Sequence, residues 1–119
     1  MKTSLKKIFS LIDGRLSTEM NDVYVQLDWI TGESLMTHSL GTANKYIKSL
    51  DLDWWKAIEA RLDEIKALIG NDFEDLMEYI DTNYPEDDIE LVELTSEQKV
   101  GFGPYMMENS ALKNLGKNS

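Results

Sequence analysis

His38 is the one histidine of this 119-residue chain, and it is the first side chain to consider for chemistry. An imidazole titrates near neutral pH and can act as a general base or bind a metal ion. Either role needs companions, and the chain has no cysteine and no second histidine. Ser34 and Ser39 flank His38 without the glycine-framed turn of a nucleophile elbow. The sequence therefore predicts no catalytic residue, and we expect His38 to make local hydrogen bonds at the start of a helix.

Carboxylates are concentrated in the stretch 67–98, which holds eleven acidic residues and no basic one. A calcium-binding EF-hand loop that began at Asp81 would place Pro85 at its fifth position and Glu86 where glycine is required. Carboxylate pairs suited to glycoside hydrolysis arise by chance in a chain with 22 acidic residues. The glycines of 101–104, GFGP, are not followed by the lysine of a phosphate-binding loop. We therefore expect no metal ion and no cofactor.

The net charge of −10 is unevenly spread along the chain. Residues 1–50 carry +1, residues 51–98 carry −13 and residues 99–119 carry +2. A surface with this field repels phosphate and attracts basic proteins, so we expect no direct binding to nucleic acid and no membrane binding. The absence of cysteine and of any long apolar run predicts a complete cytoplasmic protein that begins at Met1.

Apolar residues at helical spacing predict five helices in a single domain, 1–119. Gly14, Gly32 and Gly70 are expected to end the first, second and fourth helices. Polar residues at the predicted starts would cap the second to fifth helices; these are Ser17 or Thr18, Ser34 or Thr37, Asp53, and Asn71. The fifth helix stops near Tyr84-Pro85. The residues expected to face the core are Leu5, Ile8, Phe9, Leu11 and Ile12; Met20, Val23, Tyr24, Leu27 and Ile30; Leu40, Ala43, Ile47 and Leu50; Trp55, Ile58, Leu62, Ile65 and Ile69; and Phe73, Leu76, Met77 and Ile80.

The pattern changes after the fifth helix. Residues 88–94, DIELVEL, are short and partly β-branched and predict a strand. The segment 99–107, KVGFGPYMM, either returns as a second strand or contains the start of a last helix, which would have Pro104 at its first position and run through Leu115. The tail, 116–119, is expected to fray. The predicted fold is a mainly α, compact bundle of about five helices with a small β element near the C-terminus, and α+β is the alternative.

Acidic and aromatic side chains are the candidates for binding a partner. Trp54 and Trp55 cannot both face the core of one helix, because neighbours lie about 100° apart. Trp55 fits the apolar stripe, which leaves Trp54 near the surface. The acidic block exceeds any need for helix capping, and we expect it to lack compensating cations. The candidate partner-binding residues are Asp72, Glu74, Asp75, Glu78, Asp81, Glu86, Asp87, Asp88, Glu90, Glu93, Trp54 and Phe102. A solvated face that only maintains solubility is the alternative.

Two segments of the first third carry a family resemblance. They are RLSTEMNDVY (15–24) and LMTHSLGTA (35–43), and together they resemble an uncharacterised family of small acidic proteins encoded by tailed phages and prophages. The matching residues are Arg15 to Thr18, Met20, Asp22 to Tyr24, Thr37, His38, Leu40 and Ala43. The resemblance covers about the first 45 residues and implies a viral or mobile-element origin, without implying an activity.

These observations favour a phage-encoded inhibitor that acts by binding, similar by analogy to anti-CRISPR proteins. Its partner would be a basic host protein that binds nucleic acid, such as a CRISPR effector, in the bacterial cytosol. One alternative is a structural or adaptor protein that works as a homo-oligomer with tryptophans buried between copies. An enzyme that uses His38 is less favoured. A helix-turn-helix transcription factor is also disfavoured because no basic recognition helix is present.

Overall fold

The structure is a computed structural model in which residues 1–109 are described, and within them it has six α-helices and a two-stranded antiparallel sheet. A short 3₁₀ turn, Thr37–Ser39, comes directly before the third helix. The mainly α class with a small β element is confirmed. The elements in chain order are β1 (Lys2–Thr3), α1 (Leu5–Asp13), α2 (Met20–Thr31), α3 (Leu40–Ser49), α4 (Asp53–Ile69), α5 (Phe73–Asn83), β2 (Ile89–Glu90) and α6 (Ser96–Asn109).

The predicted helix ends agree with the structure better than the predicted starts do. Gly14 takes a left-handed conformation with φ of 97° and closes α1 by donating its N–H to Ser10. Gly32 ends α2 with φ of 72°, as expected. The prediction that Ser17 or Thr18 caps α2 is wrong, because Ser17 instead binds α1: its N–H donates to the Ser10 hydroxyl over 2.8 Å.

The start of α5 also differs from the prediction. Asp72, rather than Asn71, is the N-cap, and its carboxylate accepts the N–H of Asp75 over 3.0 Å. The side chain of Asn71 accepts a hydrogen bond from Arg15 instead. The sequence pattern placed the cap one residue early because Asn and Asp are equally good capping residues.

The core joins all six helices through one cluster of buried apolar side chains. Trp55 is 1% exposed and confirms the predicted stripe of α4. Packing pairs α1 with α2 and α5, α2 with α3, α3 with α6, and α4 with α5. The buried apolar residues are Leu5, Ile8, Phe9, Leu11, Leu27, Ile30, Leu40, Ala43, Tyr46, Ile47, Trp55, Ile58, Leu62, Ile65, Leu76, Ile80, Leu91, Leu94 and Phe102.

The predicted strand, residues 88–94, is too long. Only β2 is a strand, and it pairs with β1 so that Lys2 lies opposite Glu90. Beyond it, Leu91 and Leu94 are buried, and the Leu94 N–H donates to Ile30 at the end of α2. The segment therefore leaves the sheet in order to insert its leucines into the core.

Of the two alternatives for the segment 99–107, the second strand is wrong and the last helix is confirmed, but its predicted start at Pro104 is wrong because α6 begins at Ser96 and continues through Pro104. The ring of a proline normally clashes with the Cβ of the preceding residue and disfavours a helical conformation there. The residue before Pro104 is Gly103, which has no Cβ, so the helix can continue. The start of α6 is fixed by Thr95 and Gln98, whose side chains each accept the other's backbone N–H. The predictions for the helix as far as Leu115 and for the tail, 116–119, lie outside the described residues.

Candidate functional site

The ten carboxylates predicted to bind a partner are all exposed to solvent. Nine of them belong to α5, to its cap, to the segment after α5, or to β2. We call these nine the acidic surface: Asp72, Glu74, Asp75, Glu78, Asp81, Glu86, Asp87, Asp88 and Glu90. Because none of these groups is buried, each can approach a charged partner without first leaving the core.

The N-terminal segment supplies cations to one edge of the acidic surface. Lys6 binds Asp81 over 3.0 Å, and its neighbour Lys7 lies 3.8 Å from Asp87. The amino terminus lies 3.8 Å from Glu90. These pairs bring the end of α5 and the segment after it together along β1 and α1. The expectation of an uncompensated block is therefore wrong for these three carboxylates.

The other carboxylates of the acidic surface have no ion-pair partner within residues 1–109. Asp72 is occupied as the cap of α5. Asp75 and Glu78 lie one turn apart on α5 and line a shallow groove with Tyr79 and Ile69. The remaining carboxylates without an ion pair are Glu74, Glu86 and Asp88. This part of the surface keeps its negative charge available to a partner.

Trp54 of α4 lies beside two carboxylates of the acidic surface. It is partly buried, with its ring edge-on to Trp55 at a centroid distance of 5.8 Å. Its exposed part lines a groove with Arg61, Asp88 and Glu90. The structure therefore brings together an aromatic ring and two carboxylates that are far apart in the sequence.

Phe102 is not a surface anchor, and that prediction is wrong. Its side chain is 6% exposed and packs against Tyr46 of α3, with ring centroids 5.4 Å apart. Phe102 is the residue through which α6 is buried, so it serves the core. The sequence pattern missed this because α6 was not recognised as one continuous helix.

Glu93 lies apart from the acidic surface. It binds Lys99 over 2.9 Å and lines a different groove, which it shares with Trp29 and Glu33 at the end of α2. The ten predicted carboxylates therefore do not form one set around a single groove.

An ionic cluster around the nearly buried carboxylate of Asp13, which the sequence did not reveal, joins α1 to α4. Asp13 is the last residue of α1, and its side chain is 8% exposed. Its two carboxylate oxygens lie 2.6 Å from Arg15 Nε and 2.6 Å from Lys66 Nζ. The hydrogen bond from Arg15 has the largest effect on the pKa of Asp13, burial opposes it, and Lys66 adds to the lowering. The pKa of Asp13 therefore falls from 3.8 to about 2.

Arg15 extends this cluster to α5. Its guanidinium donates to the backbone and side-chain oxygens of Asn71 over 2.9 and 2.8 Å. The same group lies 5.6 Å from the ring centroids of both Phe9 and Phe73. Arg15 thus contacts α1, α5 and the turn before α5, and it acts as a structural residue.

His38 is exposed in the 3₁₀ turn before α3. Within the part of the chain that the structure describes, no group of three or more histidine or carboxylate side chains is arranged to hold a metal ion. Among the helices up to Asn109, none combines the length and the apolar character needed to cross a membrane.

Comparison with known proteins gives a match to part of the chain. No curated protein and no solved structure matches the chain. The acidic surface, Trp54 and α4 to α6 all lie after residue 50. Residues 3–50, which end within the turn after α3, match the model of a family described as a domain of unknown function, DUF7736.

Proposed function

We propose that this protein is a phage-encoded inhibitor that binds a basic, nucleic-acid-handling protein of the bacterial host, such as a CRISPR effector. The phage origin rests on the sequence resemblance of the first 45 residues. The binding role rests on one structural observation, which is that every carboxylate of the acidic surface is exposed. The proposed site of action is the host cytosol.

The charge of the acidic surface supplies the proposed recognition. Like charges on a folded protein repel one another and reduce its stability, so a dense block is unfavourable unless a partner neutralises it. A groove that normally holds nucleic acid is rich in lysine and arginine, which pair with carboxylates as they do with phosphates. Opposite charges would speed the encounter of the two proteins.

Trp54 would supply the contact that slows dissociation. Aromatic side chains at the centre of an interface contribute much of its binding energy, whereas charges at the rim mainly affect association. The groove that Trp54 shares with Arg61, Asp88 and Glu90 supports this role. A lysine or arginine side chain of the partner would contact the ring and the carboxylates together.

The test uses carboxylates that have no internal ion pair, so that the fold is not disturbed. The variant E78K/E86K reverses two such charges on the acidic surface. The control, D63K/E64K, makes the same change in net charge at exposed positions of α4. Each protein is used to capture partners from a nuclease-treated bacterial lysate, and the affinity for a captured protein is then measured at low and high salt.

The expected partner is a basic protein whose affinity falls at least about tenfold with E78K/E86K, and far less with the control. Its affinity should also fall with salt, as expected for charge pairing at a surface. Equal affinity for the two variants would contradict the proposal, as would capture of acidic proteins alone.

A homo-oligomeric adaptor is the second candidate, and a stripe on α6 favours it. Val100, Gly103, Pro104 and Met107 follow one another at helical spacing and are exposed, Val100 by 76% and Met107 by 72%. No described residue covers this apolar stripe. Sedimentation at two concentrations tests the candidate, since a monomer at both would exclude it, and V100E/M107E should dissolve any assembly that forms through α6.

A further inference from the structure

A groove on another part of the protein is apolar and basic, whereas the acidic surface is negatively charged. It is a groove between α1, α2 and α3, which we call the α1–α3 groove. Its lining residues all fall within the segment that matches the DUF7736 model. Six of these residues are apolar and two are lysines: Leu11, Leu16, Met20, Val23, Leu27 and Leu40, with Lys45 and Lys48.

The charge of the α1–α3 groove is opposite to that of the protein as a whole. No carboxylate lines it, although the chain carries a net charge of −10. Lys45 has no ion pair within residues 1–109. Lys48 donates one hydrogen bond, to the backbone oxygen of Ile12 over 3.2 Å, and it too has no carboxylate partner there. Two cations one helical turn apart are therefore open to acidic groups of a ligand.

The wall of the groove has more open space than the fold requires. Gly41 lies in α3, where a Cβ atom would meet no other atom within 4 Å. A glycine inside a helix costs about 0.5–1 kcal/mol relative to alanine, so packing within the protein gives no reason for it. Without a side chain at Gly41, the backbone of α3 is accessible from the groove.

Two apolar side chains on the groove are exposed without a partner. Leu16 is 51% exposed and Met20 is 44% exposed. Methionine is flexible and polarisable, and it adapts to ligands of different shapes. The groove thus combines apolar contact area with two cations at one end.

We propose that the α1–α3 groove binds a peptide segment of a partner protein that carries two acidic side chains beside an apolar one. The apolar side chain enters between Leu16 and Met20, and the acidic side chains pair with Lys45 and Lys48. A fatty carboxylate fits less well because it brings a single negative charge to two cations. A second copy of this chain also fits less well, because the apolar stripe of α6, through which copies would assemble, contains no carboxylate to pair with the two lysines.

This inference is independent of the proposed inhibitor function, because the groove would bind an acidic peptide whereas the acidic surface would bind a basic protein. The blocking variant is G41L, whose side chain enters the groove at a position where a Cβ has free space. Its control is A60L, which adds the same side chain at an exposed position of α4. The charge variant is K45E/K48E, and its control K2E/K56E makes the same change in net charge at exposed positions of β1 and α4, outside the α1–α3 groove.

The probe is a displayed library of random twelve-residue peptides, selected on the intact protein. The affinities of the enriched peptides are then measured by fluorescence anisotropy. The expected peptides carry at least two acidic residues next to leucine-like residues. Both G41L and K45E/K48E should weaken their binding at least tenfold, whereas both controls should retain it within about twofold.

Three results would overturn the inference. The first is a failure of the peptide test, either because the enriched peptides lack acidic residues or because G41L leaves the affinity of the enriched peptides unchanged. The second is binding of laurate at the groove with no enriched peptide, which would assign the groove to an amphiphile. The third is self-association of the wild-type protein that G41L abolishes, which would make a second copy the occupant.

Discussion

Replacement of Asp13 by asparagine should destabilise the protein in a way that depends on pH. The carboxylate of Asp13 is nearly buried and lies 2.6 Å from nitrogen atoms of both Arg15 and Lys66. Asparagine has the shape of the protonated side chain, so D13N removes the charge with little change in volume. It leaves Arg15 and Lys66 without the anion that holds α1 against α4.

The size of the effect follows from the pKa of Asp13. A fall in pKa from 3.8 to about 2 on folding corresponds to a stabilisation of about 2.4 kcal/mol at pH 7. Because the pKa is lower in the folded state, the stabilisation is complete above the unfolded pKa and is lost as the pH falls towards 2. At pH 3, about 1.3 kcal/mol should remain.

The assay is urea unfolding of the wild type and of D13N, followed by circular dichroism at pH 7 and at pH 3. The difference between the two proteins cancels the titration of the other carboxylates. We expect D13N to be less stable by about 2.4 kcal/mol at pH 7 and by about half of that at pH 3. The reasoning fails if the two proteins are equally stable at pH 7, or if the difference does not shrink on acidification.

Four further substitutions should change stability in different directions. G41A should raise it by about 0.5–1 kcal/mol, seen as a higher urea midpoint, because the new Cβ meets nothing. Gly101 is also helical, but G101A should lower the stability by about 1–3 kcal/mol, because the new Cβ would lie 2.7 Å from the Tyr46 hydroxyl. An unchanged urea midpoint for G101A would refute this. F102A should cost about 3–5 kcal/mol and lower the melting temperature. K6Q should cost less than about 1 kcal/mol, and high salt should remove the difference.

Local patterns in the sequence were sufficient to predict most of the fold. Gly14 and Gly32 end helices because their left-handed conformation is unfavourable for other residues, and that signal is visible in a single letter. Trp55 was placed in the core by its spacing to Ile58 and Leu62. Such features depend on neighbours within one or two helical turns.

The missed features depend on contacts between distant residues. Arg15 meets Asn71, 56 residues away, and no local pattern connects the two. The partner of β2 is β1, a two-residue strand too short to show alternation. The start of α6 is different, because the reciprocal hydrogen bonds of Thr95 and Gln98 form a capping box that depends on neighbouring residues only.

The composition predicts which residues belong to the candidate site, and the structure shows how they are arranged. The exposure of the carboxylates follows from their charge, which cannot be buried unpaired. Their division among separate grooves, and the pairing of Lys6 and Lys7 with two of them, could not be read from the chain. Phe102 is the clearest example. The residues around it show no apolar stripe at helical spacing, so the sequence predicts an exposed side chain, whereas Phe102 is buried in the core.

The two-stranded sheet has a consequence for the order of folding. It joins residues 88 positions apart, Lys2 and Glu90, and closing a loop of that length costs about 4 kcal/mol of chain entropy. Two strands of two residues cannot recover this by themselves. The contacts among α1, α2 and α3 close much shorter loops and should therefore form first. The sheet would then form late in folding and open easily in the native state. Its amides should therefore be among the first to exchange with deuterium.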